Sequence, residues 1–284
     1  MTVTGNTTPL LPLIVEPAEL ETRLDAENLL LVDLRRPDAY ARYHVPGAVH
    51  LDYAALVAQR GMARGLLPDD EHLEEVFSSL GLTPDTHVVA YDDEGGGMAS
   101  RLLWTLDAVG HRHFSLLNGG IQAWHNEDHA GRSGIIRPQH SVYKVSGEKR
   151  SLADAEYVMA RLSDPRTVVL DARSPNEYFG LTRTALRNGH MPGAVNLDWS
   201  FAMDQGRNLR MKPAEELRGT LHGLGITPDK EVIVHCHSHH RSAHTYVVLK
   251  ALGYAKVKAY AGSWSEWGNR NDTPVEAGQA VLAA

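Results

Sequence analysis

The residues best equipped for chemistry lie in one run, Val234 to Ser242 (VHCHSHHRS), which holds the only cysteine among 284 residues. Cys236 is followed by His237, Ser238, His239, His240, Arg241 and Ser242, so a thiol, three imidazoles, two hydroxyls and a guanidinium share seven positions. The ordinary fate of a free cysteine is that of a small buried hydrophobe. Against this, HSHHR is too polar to be expected as packing. A zinc site is a second reading, since Cys and His ligate zinc. However, His235, Cys236, His237, His239 and His240 crowd onto one turn with no second cluster elsewhere, which disfavours a resident metal. A third reading is phosphate chemistry, because cysteine-dependent phosphatases place five residues between Cys and Arg. Here four residues separate Cys236 from Arg241, and the smaller bowl suits one sulfur atom better than a phosphoryl group.

The flanking elements decide how this run is presented. VIVH has the short, evenly apolar character of a strand buried on both faces, and SAHTYVVLKAL, ending before Gly253, has helical character. Cys236 therefore opens a strand-to-helix loop at the C-terminal edge of a parallel sheet, where open α/β folds place ligands. The first amides of the helix have no internal partner and point into the loop, and the macrodipole adds positive character. These features predict an exposed, nucleophilic Cys236 thiol with a lowered pKa. The same properties would make it prone to oxidation.

The pattern around the loop occurs twice. Leu31–Pro37 (LVDLRRP) matches Val169–Pro175 (VLDARSP), His44–Asp52 (HVPGAVHLD) matches His190–Asp198 (HMPGAVNLD), and Gly81–Asp85 (GLTPD) matches Gly225–Asp229 (GITPD). The second copy gains eight residues within FGLTRTALRNG. In the first copy Asp92, in VVAYDDEGGGMAS, stands where Cys236 stands in the second. Strands alternating with helical patterns such as PAEELRGTLHGLGI predict two tandem, doubly wound, mostly parallel α/β domains flanked by helices. We expect an N-terminal domain over 9–135, a linker over 136–150, and a C-terminal domain over 151–284.

Composition bounds the partners. The net charge of −7 and the pI near 6.1 disfavour a broad grip on nucleic acid or an acidic membrane, so any anion must be held by a built site. No apolar run approaches bilayer length. The first residues read as a polar tail without a signal peptide's basic start. A single thiol suits a reducing, cytoplasmic setting.

The DAR strand end, GHMPGAVNLDW, CHSHHRS and YAGSWSEWGNRNDTPVE together resemble the tandem-domain rhodaneses, with similarity from about Leu29 to Glu276, and look most like the bacterial two-domain thiosulfate:cyanide type. The resemblance implies sulfur transfer from thiosulfate or a related donor to cyanide or a thiol acceptor, by ping-pong chemistry through a persulfide on Cys236. No cofactor is implied beyond that covalent intermediate. It also implies that the loop residues His237 to Ser242 bind substrate, with Asp171 and Trp199 as supporting candidates, and that the first domain is catalytically silent and walls an interdomain cleft. Some family members carry Arg and Lys directly after the cysteine, where this chain has His237 and Ser238. The alternatives are a 3-mercaptopyruvate donor, whose branch has a CGSGVT-like loop, a phosphatase-like reaction, and a sulfur carrier.

Other residues carry plainer expectations. Asp171 is expected to accept loop amides or pair with Arg241, although its twin Asp33 points to a structural duty. Arg173 and Glu177, four apart, suggest a surface pair. Trp199 suggests cleft lining or packing, and Trp264 and Trp267 suggest closure of an apolar face. Gly95 to Gly97 suggest a flexible replacement for a lost loop.

Overall fold

The computed structural model describes residues 9–277. The polar tail before residue 9 and the last seven residues of the expected C-terminal domain lie outside the described residues. Two α/β units follow one another with the same topology. The first contains β1 (Ile14–Val15), α1 (Pro17–Glu21), β2 (Leu29–Asp33), α2 (Pro37–Arg42), β3 (Val49–His50), β4 (Ala58–Arg60), β5 (Ala63–Leu66), α3 (Asp70–Ser79), β6 (His87–Tyr91), α4 (Gly97–Ala108), β7 (Phe114–Leu117) and α5 (Gly120–Asn126). The second contains β8 (Leu152–Ala153), α6 (Ala155–Met159), β9 (Thr167–Asp171), α7 (Pro175–Tyr178), β10 (Val195–Asn196), β11 (Met203–Asp204), β12 (Arg210–Met211), α8 (Ala214–Gly223), β13 (Glu231–His235), α9 (Arg241–Ala251), β14 (Val257–Tyr260) and α10 (Ser263–Trp267).

The sheets run β1-β7-β6-β2-β3 and β10-β9-β13-β14-β8, which is one order read in opposite directions, and every pairing within them is parallel. The central strands β6 and β13 are apolar because both faces are covered; Val232, Ile233 and Val234 are fully buried. β13 ends at His235, so Cys236 leaves the sheet at its carboxyl edge, and α9 begins five residues later. Helix start signals appear where the repeats place them. Pro37 and Pro175 open α2 and α7, and Ser174 forms a capping box with Glu177.

Between α5 and β8 there is no regular element, but the chain does not hang free. Ser141 donates through its hydroxyl to the Leu82 carbonyl at 2.5 Å, and Tyr143 is buried edge-on to Phe77. The segment thus straps the first unit.

The two units share one core. Leu102, Leu103 and Leu106 of α4 belong to the same buried apolar cluster as Tyr246, Val247 and Leu249 of α9. Each unit also sends an antiparallel hairpin toward the carboxyl edge of the other's sheet. The β4–β5 hairpin reaches the loop after β13 through Gly65, packed on Ser238, and reaches α10, where the Arg64 amide donates to Ser265 Oγ at 2.9 Å. The β11–β12 hairpin reaches the loops of the first unit, where the Met211 amide donates to Asn118 Oδ1 at 2.8 Å and Arg210 pairs with Glu16 and Glu127.

Candidate active site

Cys236 is only 1% exposed. This corrects the expectation of an exposed thiol, but the surroundings are polar. Burial alone would push the thiol up; the charge of Arg241 and hydrogen bonds from the Ser242 hydroxyl, the Ser242 amide and the Ser238 amide outweigh it, and the net shift is downward. The sulfur therefore sits in a cradle of inward-pointing donors at the start of α9. The backbone of Cys236 is tied to α10, its amide lying 3.3 Å from Ser263 Oγ and its carbonyl accepting from the Trp264 amide at 3.0 Å.

Each loop side chain takes a distinct direction. Arg241 donates to both oxygens of Glu177, at 2.6 and 2.9 Å. Glu177 is held down to about 2: burial would raise it, but Arg241 and Ser174 more than compensate. The surface pairing expected for Arg173 and Glu177 does not form. Arg173 is fully buried and turns back onto Asp171, donating at 2.9 and 2.5 Å, because β9 ends at Asp171, α7 starts only at Pro175 and position 173 lies in the bend between them. Asp171 accepts from Arg173 rather than from loop amides or Arg241. Its twin Asp33 holds Arg35 in the same way, at 3.0 and 2.6 Å. Both carboxylates thus fix the strand-end turn.

His239 also departs from expectation, because it is buried as packing. Its ring lies edge-on to Trp104 with centroids 4.2 Å apart, and its Nδ1 is 2.8 Å from Ser242 Oγ. If the Ser242 hydroxyl donates to sulfur, His239 Nδ1–H must donate to Ser242. Burial also drives His239 well below the usual imidazole range, so it is neutral. Its backbone is left-handed, with φ of +53°, the conformation that Gly95 holds at the matching place in the first unit. Gly95 and its neighbours are not a flexible filler, since a Cβ at Gly95 would overlap the Met203 thioether. His237 and Ser238 are half-buried and His240 borders the cleft, where Trp199 comes to 5.8 Å of its ring. Trp264 and Trp267 are buried.

The first unit contributes more than one wall. A Cβ at Gly65 (φ +76°) would overlap the Ser238 carbonyl, so the hairpin backbone touches the loop directly. The Arg101 guanidinium is fully buried and has no carboxylate partner among the described residues; it donates to the carbonyls of Gly65 (2.7 Å), Leu56 (2.8 Å), Leu66 (2.9 Å) and His239 (3.4 Å). It thereby staples hairpin to loop. Tyr53 packs edge-on to His240, and Glu94 hydrogen-bonds His240 Nε2. Sequence reading singled out none of Tyr53, Gly65, Glu94 and Arg101, which lie far from Cys236 along the chain and near it only through the fold.

The first unit's own loop shows what Asp92 does. Its buried carboxylate accepts from the amides of Glu94 (3.1 Å), Gly96 (2.8 Å) and Ala99 (2.9 Å). The amide cradle thus exists in both copies, filled by a carboxylate in one and by sulfur in the other.

Repeated α/β units with an amide cradle after the central strand of each sheet define a class. A family model described as a rhodanese-like domain matches residues 16–127 and 154–270, and the chain belongs to the rhodanese family. Among its relatives are the thiosulfate sulfurtransferases of Azotobacter vinelandii, 46% identical, and Pseudomonas aeruginosa, 47% identical; each match covers 94% of this chain and 97% of the relative. The crystal structure of a 3-mercaptopyruvate sulfotransferase from Escherichia coli superposes with a TM-score of 0.80 at 26% identity, covering 89% of this chain and 99% of that one. No described helix is long and apolar enough to cross a membrane, and no described cluster of His, Cys, Asp or Glu is placed to hold a metal.

Proposed function

We propose that this protein is a thiosulfate sulfurtransferase that carries sulfur on Cys236. The observation that supports this most directly is the thiol itself, the chain's one cysteine, set in a ring of amide and hydroxyl donors beside Arg241 with its pKa lowered despite burial. In the first half-reaction the Cys236 thiolate attacks the outer sulfur of thiosulfate. A sulfur–sulfur bond forms to the enzyme, the bond to the sulfonate breaks, and sulfite leaves with the electron pair. The terminal sulfur of the persulfide carries the negative charge and is stabilised by donors already in place, as an oxyanion hole stabilises oxygen. In the second half-reaction cyanide attacks that sulfur, thiocyanate leaves, and the thiolate is restored; a thiol acceptor reacts at the same atom. The two products leave in separate steps, which gives ping-pong kinetics.

His237, Ser238, His240, Arg241 and Ser242 form the substrate-binding surface in this reading, while His239 acts through Ser242. Asp171 and Trp199 support the loop from the strand end and the cleft. The N-terminal domain is catalytically silent because a carboxylate occupies its cradle. The net negative charge and single thiol suit a cytoplasmic enzyme that binds neither nucleic acid nor membrane.

Incubation with thiosulfate followed by intact mass measurement tests the reading. The wild-type chain gains one sulfur, and cyanide removes it with stoichiometric thiocyanate. Cys236→Ala gains none and makes no thiocyanate. A Cys236→Ala protein that still turns over sinks the assignment, and a stable adduct that cyanide does not discharge marks a carrier instead.

A further inference from the structure

The cysteine-free loop of the first domain reaches across the domain boundary and engages the active loop. Glu94, two residues after Asp92, hydrogen-bonds His240 Nε2 through Oε1, and the same oxygen accepts from the Met98 amide at 3.1 Å at the start of α4. The carboxylate is therefore anchored to its own helix before it meets the histidine. Space is reserved for the contact, since a Cβ at Gly97 would stand 2.6 Å from both Glu94 Oε1 and His240 Nε2 and 3.0 Å from Trp199. On its other sides the ring meets Tyr53, edge-on at 5.4 Å, and Trp199.

We propose that Glu94 is a positioning residue for sulfur loading: it fixes the His240 ring in the loop around Cys236, so that the silent domain supplies half of the pair that a dianionic donor meets. This rests on the sulfurtransferase reading and assigns a role to the loop that lost its cysteine. With Nε2 held by Glu94, Nδ1 is the ring nitrogen left to face donor or acceptor.

The charged groups around His240 define the titration. Burial would lower its pKa; the hydrogen bond and charge of Glu94, with the charges of Cys236 and Asp92, raise it, and the net shift is upward. Arg241 is adjacent in the chain, and His239 and His244 are kept neutral by burial, His244 being lowered to about 4. Tyr53 is raised to about 12, chiefly by burial, and stays protonated. The groups whose charge bears on His240 are thus Glu94, Cys236 and Asp92. A histidine with a raised pKa stays charged to higher pH and loses its charge as the pH climbs through that value.

The test compares wild type with Glu94→Gln, which keeps an oxygen for the Met98 amide but removes the charge, and with Gly97→Ala, which pushes the pair apart. The single-turnover rate of persulfide formation from thiosulfate is measured from pH 5.5 to 9.5, and ring-labelled histidine NMR follows His240, assigned by its loss in His240→Asn. We expect the His240 titration and the alkaline limb of the rate profile to move down together by about one pH unit in Glu94→Gln, which is roughly a tenfold loss in loading on the alkaline side and little change below pH 6. Gly97→Ala moves both the same way. A lower melting temperature with both titrations unmoved would show Glu94 to be only a helix cap and overturn the proposal. Failure of the wild type to take up sulfur at any pH would instead strike the sulfurtransferase reading, while the NMR titration still decides whether the pair exists.

Discussion

At the scale of single residues, the contrast between Cys236 and Asp92 shows that the cradle is a property of the fold and the reaction a property of what fills it. Cys236 and its loop were legible in the sequence because the residues that matter are consecutive and the loop's place follows from strand and helix signals beside it. Glu177 was not legible. Its spacing from Arg173 suggested a helical surface pair, yet its partner is Arg241, 64 residues away, and only the sheet order brings them together. This misreading has a measurable counterpart. The folded pKa of Glu177, about 2, lies below the usual carboxylate value, so its contribution to stability is present above about pH 4.5 and is lost as the pH falls toward 2. Because solvent still reaches the pair, that contribution is on the order of 2 kcal/mol. Urea unfolding of Glu177→Gln against wild type should show about that deficit at pH 7 and a smaller one at pH 3. A deficit that does not change with pH would mean that the ion pair is not its source.

At the scale of elements, the strands and longer helices followed their patterns. α9 ends at Ala251, two residues before Gly253, and α8 ends at Gly223. The two hairpins were not foreseen, because β4, β5, β11 and β12 are two to four residues long, too short for a periodicity to register. They are nevertheless what closes each loop. Arg101 makes this closure costly to undo, since four carbonyls converge on one buried guanidinium. Lysine at that position would keep a charge but could not span acceptors from Leu56, Gly65, Leu66 and His239 at once. We expect Arg101→Lys to cost about 2–3 kcal/mol through unpaired carbonyls and to slow persulfide formation from thiosulfate, because the loop backbone that aims amides at sulfur is no longer clamped. Chemical denaturation and single-turnover loading read the two effects separately. Normal loading in a destabilised Arg101→Lys protein would show that the clamp serves stability alone.

At the scale of the whole molecule, the tandem repeat suggests two independent domains, and the structure joins them. The repeat was visible because its motifs recur as short identical strings. The fusion of the cores was not, because an apolar face on α4 or α9 looks the same whether it meets its own sheet or a neighbouring domain. Leu102, Leu103 and Leu106 share one buried cluster with Tyr246, Val247 and Leu249, while Arg210 and the two hairpins add polar ties across the boundary. Separating the units would expose both helix faces and the underside of the active loop, so neither unit gains by unfolding alone. Equilibrium unfolding should therefore be a single transition, coincident for a probe in the first unit, such as Trp124, and one in the second, such as Trp267, each left as the reporter by replacing other tryptophans with phenylalanine. Leu103→Ala, fully buried on α4, should lower both midpoints together, by an amount within the 2–5 kcal/mol range typical of a core leucine. Two separated transitions, or a Leu103→Ala shift confined to the Trp124 probe, would show that the domains fold independently and that the active loop keeps its shape without the neighbouring domain.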